Sequence, residues 1–231
     1  MEHPARFVMH ARQLGPAAIA AELRRRLFSA EVNFGLRCDL ERLPPLVAAS
    51  MPLTLERRDG PLAGFQAELD RTTGADYGRT LRRQRLHEKG VRSMYVAVGE
   101  NGAPVYVQWL VTPGDQHLLD KHGSDFWPRL KPDELLVEFA YTFTPFRGLG
   151  VMGDAMRRLL GVGEQLGARW ALTYVREDNV PSLRGCAKVG FKLDHVRTTT
   201  TRLGARRNRI RPPSDAERRQ WEQASAPRRR A

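Results

Sequence analysis

The chain has 231 residues, 41% of them hydrophobic and 28% charged, with a formal net charge of +12 at pH 7. This balance is typical of a globular protein with a sizeable core. Two distant cysteines, Cys38 and Cys186, exclude a disulfide framework and favour a reducing, cytoplasmic location. No apolar stretch approaches the roughly 20 residues of a membrane span, and no metal-ligand spacing is present, so neither a membrane span nor a metal is expected.

The first 50 residues are predicted to form an extension with one helix and one strand. Leu23 and Leu27 continue a four-residue apolar repeat, which predicts a helix over residues 16–28. Residues 32–40 alternate apolar and polar side chains, which predicts a strand. The pair Pro44-Pro45 then marks a boundary in the chain.

Three short elements are predicted next: a strand at residues 53–57 and helices at residues 62–70 and 76–88. Two apolar runs, residues 93–98 and 105–111, then flank Asn101-Gly102. Because both turn residues tolerate the positive φ of a type I′ turn, this pattern predicts a β-hairpin. The polar stretch 112–133 is predicted to be a long loop.

The strongest strand pattern spans residues 135–143. One predicted face carries Leu135, Val137, Phe139, Tyr141 and Phe143, and the other carries Glu134, Leu136, Glu138, Ala140 and Thr142. A carboxylate on the second face can reach solvent or a cleft. The alternatives for Glu138 and Glu134 are a solvated carboxylate or one paired with an arginine.

A glycine turn follows this strand and leads into a helix predicted over residues 151–166. The first N–H groups of a helix have no intrahelical partner, and the helix dipole favours an anion there. Gly148 and Gly150 allow a close approach or a positive φ, and Arg147 adds a cation. The turn therefore predicts a phosphate site, with an ordinary strand-to-helix turn as the alternative.

A second group of residues lies about 30 positions downstream. An apolar run at residues 171–175 is followed by Asn179, a short helical stretch and Gly190-Phe191. A last strand is predicted near residues 192–200 and is expected at a sheet edge.

The two groups together resemble the GNAT superfamily of acyl-CoA-dependent N-acetyltransferases. Arg147-Gly-Leu-Gly150 is similar to the family motif Arg/Gln-x-x-Gly-x-Gly/Ala, although Met152 stands at its last position. The second motif is matched by Asn179, Ser182, Gly190 and Phe191. The resemblance covers residues 134–196 and implies an α+β fold, a GNAT-type mixed central sheet flanked by helices.

The resemblance implies transfer of an acetyl group from acetyl-CoA to a primary amine of a small molecule, protein or peptide. Some members of the family use a glutamate on this strand as general base, which makes Glu138 the candidate here. The resemblance assigns CoA binding to Tyr141, Thr142, Arg147, Gly148, Leu149, Gly150, Val151, Met152, Gly153 and Asn179.

The proton donor to the leaving thiolate departs from the family pattern. Where the family often has a tyrosine, this chain has Cys186. A small packing residue is favoured there over an acidic thiol, and water or Tyr174 are the alternative donors.

Two other functions stay open. The same fold could transfer a longer acyl group or use an oxygen acceptor. A different class is a catalytically silent CoA-binding or nucleic-acid-associated module, to which a basic tail would contribute, although nucleic acid is not the favoured partner.

The resulting organisation is an N-terminal extension (1–50), a GNAT-like acyltransferase domain (51–203) and a basic tail (204–231). The tail carries nine arginines against three acidic residues, which is half of the net charge. The capping-box pattern from Ser214 to Glu217 predicts a short helix to about Ser225. The rest of the tail is predicted to be mobile, and residues 203–231 as a whole are predicted to be dispensable for folding.

Overall fold

The computed structural model describes residues 27–59, 93–121, 127–203 and 205–226. The described strands are β1 (Phe28–Asp39), β2 (Leu53–Arg58), β3 (Met94–Gly99), β4 (Pro104–Val111), β5 (Glu134–Thr142), β6 (Trp170–Arg176), β7 (Lys192–Arg202) and β8 (Ala205–Arg211). The described helices are α1 (Gln116–Lys121), α2 (Val151–Gln165), α3 (Val180–Lys188) and α4 (Asp215–Ser225).

Several predicted elements lie outside the described residues. These are most of the helix at residues 16–28, the helices at 62–70 and 76–88, and residues 122–126 of the predicted loop. The described part of that loop contains a 3-10 turn, Pro113–Asp115, and helix α1. The Asp115 carboxylate accepts the Thr112 N–H at 3.0 Å, and this hydrogen bond caps the start of the 3-10 turn.

All eight described strands form one sheet in the order β2-β3-β4-β5-β6-β1-β7-β8. Among them β5 and β6 are parallel, and every other neighbouring pair is antiparallel. Strand β1 thus lies inside the sheet between β6 and β7, and its side chains Phe34, Leu36 and Cys38 are buried in the core. The strand predicted in the N-terminal extension is an interior strand of the same sheet as residues 94–202.

The predicted hairpin between β3 and β4 is confirmed, but its turn differs. The Gly99 N–H donates to the Ala103 carbonyl at 3.0 Å, which leaves a three-residue connection. Gly102 has φ 72°, whereas Asn101 is not among the described residues with positive φ. The Asn101 side chain instead accepts the Ala103 N–H at 3.1 Å. The prediction of a type I′ turn is therefore wrong, because the side chain of Asn101 stabilises another turn.

A β-bulge interrupts strand β5. Trp109 pairs with Glu138 and Val107 pairs with Tyr141, so two residues of β5 oppose one residue of β4. Phe139 in the bulge has φ 60°, in the left-handed region. Such an extra residue changes the face on which all later side chains lie.

Because of the bulge, the side chains of β5 do not lie on the faces that the sequence predicts. Leu135 and Val137 pack in the core beneath α2 and α3. Phe139, Tyr141 and Phe143 pack instead with Leu136, on the opposite side of the sheet. The single apolar stripe predicted for residues 135–143 is wrong, because regular alternation stops at Phe139.

Residues 205–226, predicted to belong to a mobile tail, form strand β8 and helix α4. Strand β8 pairs with β7 along its whole length, so β7 is not the sheet edge. The predicted helix is confirmed, with the Ser214–Glu217 capping box at its start. Ala224 is buried and Trp221 packs against the core. The prediction of mobility is wrong here because strand pairing uses main-chain groups and needs few apolar side chains.

An ion pair joins β8 to α4 and makes their stability depend on pH. Arg211 donates two hydrogen bonds to Glu217, at 2.7 and 2.6 Å, and these lower the Glu217 pKa from 4.5 to about 2. Since the folded state prefers the carboxylate, this stabilisation is present above about pH 4.5 and is lost as the pH falls toward 2.

Glu217→Gln is therefore expected to lower the free energy of unfolding by about 1 kcal/mol at pH 7. The difference from wild type should shrink on acidification. Thermal melting between pH 7 and pH 3 measures it, with Glu222→Gln, an exposed carboxylate in the same helix, as the control for charge. Equal pH dependence of the two variants would contradict the assignment.

Candidate active site

Strands β5 and β6 separate in the middle of the sheet. They pair at Glu134–Trp170, Leu135–Ala171 and Leu136–Leu172, and no later pair joins them in the described residues. Beyond this point β5 continues against β4 to Thr142, and β6 continues against β1 to Arg176. The two strands therefore diverge, and a gap opens between residues 137–142 of β5 and residues 173–176 of β6.

Glu138 lies at the start of this gap. Its Oε1 accepts the backbone N–H of Tyr174 at 2.6 Å, so the carboxylate takes the place of a main-chain acceptor where the strands part. The side chain is half-buried. Burial raises the pKa of the Tyr174 hydroxyl, and the negative charge of Glu138 contributes to this rise. Burial lowers the pKa of Arg197, and the same negative charge opposes that lowering. A carboxylate in a cleft is what the sequence predicts at this position.

The glycine turn brings its two glycines and Arg147 to the end of β5. Gly148 and Gly150 have φ 85° and 79°, and Gly150 is the N-cap residue of α2. The Arg147 Nε donates to the Thr142 carbonyl at 3.2 Å, and its guanidinium lies 5.4 Å from the Tyr141 ring centre. The predicted CoA-binding residues of β5 and of the turn thus lie together.

Residues 49 and 50 hold the turn from one side. The Leu149 carbonyl accepts the Ser50 N–H at 2.9 Å, and the buried Asp154 carboxylate accepts the Ala49 N–H at 2.8 Å. Sequence reasoning missed this contact, because residues 49 and 50 carry no local motif.

The start of α2 has the features of an anion site. The N–H groups of Val151 and Met152 precede the first intrahelical hydrogen bond. The Gly153 N–H, which is predicted to bind CoA, instead donates to the Gly150 carbonyl at 3.1 Å. A Cβ added at Gly148 would meet no atom within 4 Å, so the turn is open beside these amides. The amide donors fit a pyrophosphate, with Gly153 removed from the predicted set.

Asn179 serves as the N-cap of α3. Its side-chain oxygen accepts the Ser182 N–H at 3.4 Å. The amide nitrogen of the same side chain is the group that can donate to a phosphate. The Asn179 and Ser182 of the second motif are thus related by a helix cap.

Cys186 lies in the hydrophobic core on α3. It is 1% exposed, and burial, with a smaller contribution from the charge of Glu138, raises its pKa far above the ordinary value. Cys38 lies in the same core, where burial raises its pKa to about 11. These surroundings favour packing over proton donation by Cys186.

We expect Cys186→Ala and Cys186→Ser to retain CoA affinity and most of kcat while lowering the melting temperature. Removing or replacing a buried sulfur costs about 1 kcal/mol, and the serine adds a hydroxyl that must find a partner. Thermal melting and steady-state kinetics measure the two effects. A collapse of kcat in both variants with intact binding would restore the thiol as a catalytic group.

Tyr174 lies on β6 among polar groups that sequence reasoning missed. Its hydroxyl is 3.2 Å from His195 Nε2, and His195 Nδ1 is 2.8 Å from an Asp194 carboxylate oxygen. The Arg197 guanidinium lies 3.7 Å from the centre of the Tyr174 ring. The alternation of β7 could have predicted that His195 and Arg197 share one face. Their contact with Tyr174 could not be predicted, because it depends on β1, which lies between β6 and β7.

The described residues contain no cluster of three or more His, Cys, Asp or Glu side chains able to hold a metal ion. Nor does any helix in the described ranges have the length and apolar character needed to cross a membrane.

No protein-family profile matches the sequence, and no curated protein matches it. Solved structures do match. An acetyltransferase of the GNAT family from Colwellia psychrerythraea is 13% identical, with a TM-score of 0.51 over 75% of this chain and 56% of the other. A Drosophila protein is 12% identical, with a TM-score of 0.50 over 83% of this chain and 59% of the other.

The chain therefore spans a little over half the length of these solved structures. At such low identity the likeness concerns the fold. It agrees with a mixed sheet of eight described strands flanked by helices. The α+β arrangement expected from the two motifs is confirmed, and the chain has the fold of the GNAT acetyltransferases.

Proposed function

We propose that this protein is an acyl-CoA-dependent N-acyltransferase that transfers an acetyl group from acetyl-CoA to a primary amine. One observation carries the proposal: the glycine turn at the start of α2 adjoins the gap between β5 and β6, and Glu138 lies in that gap. This arrangement unites an anion site, two diverging strands and a carboxylate. An acyl-CoA needs the first two and an attacking amine needs the third.

The proposed binding mode follows the main-chain groups. The N–H groups of residues 148–152 hold the pyrophosphate, with Arg147 as the nearby cation. The edge of β5 at residues 140–142 pairs with the amides of the pantetheine arm, as an added strand would. Asn179 donates its side-chain amide to the same ligand.

The proposed reaction is direct attack of the amine on the thioester carbonyl. An ammonium ion must lose a proton before it can attack, and Glu138 is the proposed acceptor of that proton. Holding amine and thioester together supplies much of the remaining acceleration. No covalent intermediate on the protein is required. The acceptor is an amine of a small molecule or of a protein or peptide, and we propose a cytoplasmic location.

The second candidate is a catalytically silent CoA-binding module. The burial of Cys186, at the position where the family has its proton donor, favours it. This alternative predicts CoA binding without release of free CoA thiol.

Thermal melting with acetyl-CoA tests binding. A ligand at about a hundred times its Kd adds about 2.7 kcal/mol to the free energy of unfolding, which raises Tm by several degrees. No shift at millimolar acetyl-CoA would contradict the proposal.

An assay of CoA release then tests the reaction. It uses acetyl-CoA and longer acyl-CoAs against a panel of primary amines and alcohols. Release with an amine supports the N-acyltransferase. Binding without release from any pair supports the silent module, and release with an alcohol alone would replace the amine acceptor.

A further inference from the structure

The linker between β1 and β2 lies against the glycine turn, and the proposed function assigns it no role. Residues 44–50 of this linker form a strap. We propose that the strap, held by Asp154 of α2, orients the Leu149–Gly150 peptide so that the Gly150 N–H points into the pyrophosphate site. Asp154 and Ser50 are then positioning residues for CoA binding. The inference rests on the proposed function.

The strap follows one side of α2. Arg157 Nε donates to the Pro44 carbonyl at 2.7 Å, and the Asp154 carboxylate accepts the Ala49 N–H at 2.8 Å. At the start of the helix, a Cβ added at Gly150 would lie 3.5 Å from the Ala49 Cα. Positions 150, 154 and 157 are four and three residues apart, so they share one side of the helix. The strap therefore runs antiparallel to α2 and reaches the glycine turn.

The strap fixes the direction of one peptide group in the turn. The Leu149 carbonyl accepts the Ser50 N–H at 2.9 Å and the Ser50 hydroxyl at 3.1 Å. The Leu149–Gly150 peptide is trans, so its N–H points opposite to its carbonyl. The Gly150 N–H therefore points away from the strap, and it donates to no group in the described part of the chain. Gly150 is exposed, so a ligand can reach this donor.

Asp154 holds the strap in place. It is 1% exposed, although the other buried side chains of α2 are apolar. Its carboxylate accepts the Ala49 N–H and also the Arg158 Nε–H, the latter at 2.5 Å. Burial of a carboxylate is costly unless it has such partners. Because Ala49 directly precedes Ser50, the bond to Ala49 fixes the position of both donors to the Leu149 carbonyl.

The charge of Asp154 alone would have the opposite effect on CoA. A carboxylate in the first turn of α2 repels an anion bound at the start of the same helix, so its removal should tighten CoA binding. If Asp154 acts through the strap, its removal frees the Leu149–Gly150 peptide. Binding must then order that peptide, and CoA affinity should fall. The sign of the change therefore separates positioning from electrostatics.

Calorimetric titration of CoA into two α2 variants is the first test. Asp154→Ala is expected to weaken CoA affinity about tenfold, since a hydrogen bond that orders the turn is lost. Arg157→Met releases the far end of the strap and removes a cation, yet it should leave CoA affinity unchanged. Both variants should lower Tm, because each breaks a hydrogen bond to the strap.

The outcomes of this titration are distinguishable. Tighter or unchanged binding in Asp154→Ala, or equal weakening in Asp154→Ala and Arg157→Met, would overturn the inference. Failure of the wild-type protein to bind CoA would overturn the proposed function instead.

Asp154→Asn distinguishes the hydrogen bond from the charge. The asparagine keeps an oxygen that can accept the Ala49 N–H, but it loses the negative charge. We therefore expect CoA affinity to return at least to the wild-type value. An affinity as low as that of Asp154→Ala would contradict an action through Ala49.

Two proline variants test the same step at exposed residues of the strap. Ser50→Pro removes both donors to the Leu149 carbonyl and should weaken CoA affinity about tenfold. Val47→Pro places a proline at a residue that is 77% exposed and should leave the affinity unchanged. These variants decide the question even if Asp154→Ala does not fold. Equal CoA affinity in the two proline variants would overturn the inference.

Steady-state kinetics with the most active amine separate positioning from a general disturbance of the fold. Asp154→Ala should raise KM for acetyl-CoA about tenfold with little change in kcat, because the pyrophosphate is bound equally in the ground state and the transition state. S-acetylpantetheine lacks the pyrophosphate, so its kcat/KM should be the same in wild type and Asp154→Ala. Equal losses with the two acyl donors would overturn the inference and leave Asp154 with a packing role.

Discussion

Replacing Glu138 by Gln is expected to lower kcat at neutral pH by about 10²- to 10⁴-fold, while CoA affinity stays the same. The glutamine keeps an oxygen that can accept the Tyr174 N–H, which Glu138 accepts at 2.6 Å. It cannot take a proton from an ammonium ion. Steady-state kinetics with the most active amine, together with calorimetric titration of CoA, separate the two effects.

Two further variants distinguish the chemistry of Glu138 from its structural role. Glu138→Ala removes the acceptor of the Tyr174 N–H, so it should also cost about 1–3 kcal/mol of stability. Glu134, on the same strand, is buried and forms an ion pair with Arg37, with 3.2 Å between the guanidinium nitrogen and the carboxylate oxygen. Glu134→Gln disturbs this pair and should lower Tm with little change in kcat. A Glu138→Gln rate within a few-fold of wild type would reassign Glu138 to strand anchoring alone.

Gly150→Val is expected to abolish CoA binding in a protein that still folds. Gly150 has φ 79°, which a β-branched residue reaches only under strain of about 1–3 kcal/mol. Its Cβ would lie 3.5 Å from Ala49 Cα, an ordinary contact, so the strained backbone is what shifts the turn and the common direction of its amides. Calorimetry measures the affinity, and thermal melting measures the strain.

Gly167→Val provides a matched control at the other end of α2. Gly167 has φ 83°, and its added Cβ would meet no atom within 4 Å. The two variants therefore carry similar backbone strain, but only Gly150 lies in the proposed phosphate site. Equal CoA affinity in both would show that the glycine turn is structural.

Local patterns determined a large part of this fold. The alternation of β1, the hairpin of β3 and β4, the helix α2 and the capping box of α4 are all visible in short stretches of sequence. Each depends on contacts between residues a few positions apart, and such contacts leave a period or a cap motif in the chain. The glycine turn is of the same kind, since positive φ at Gly148 and Gly150 is a local requirement.

The faces of β5 could not be read from the sequence in the same way. No pattern in residues 134–142 predicts the bulge at Phe139. The bulge is defined by the register of β5 against β4. Register is a property of two strands, so a pattern in one of them extrapolates through the bulge and assigns the later side chains to the wrong face.

Tertiary structure alone decided the arrangement around Tyr174. His195 follows Tyr174 by 21 positions, and the Gly35 between them lies much earlier in the chain. The insertion of β1 between β6 and β7 brings all three together. Likewise β8 and α4 are ordered by pairing with β7 and by packing on the core, although their composition is basic. Periodicity within a segment reports which side of it is buried, but the partner that buries it is chosen by the packing of the whole chain.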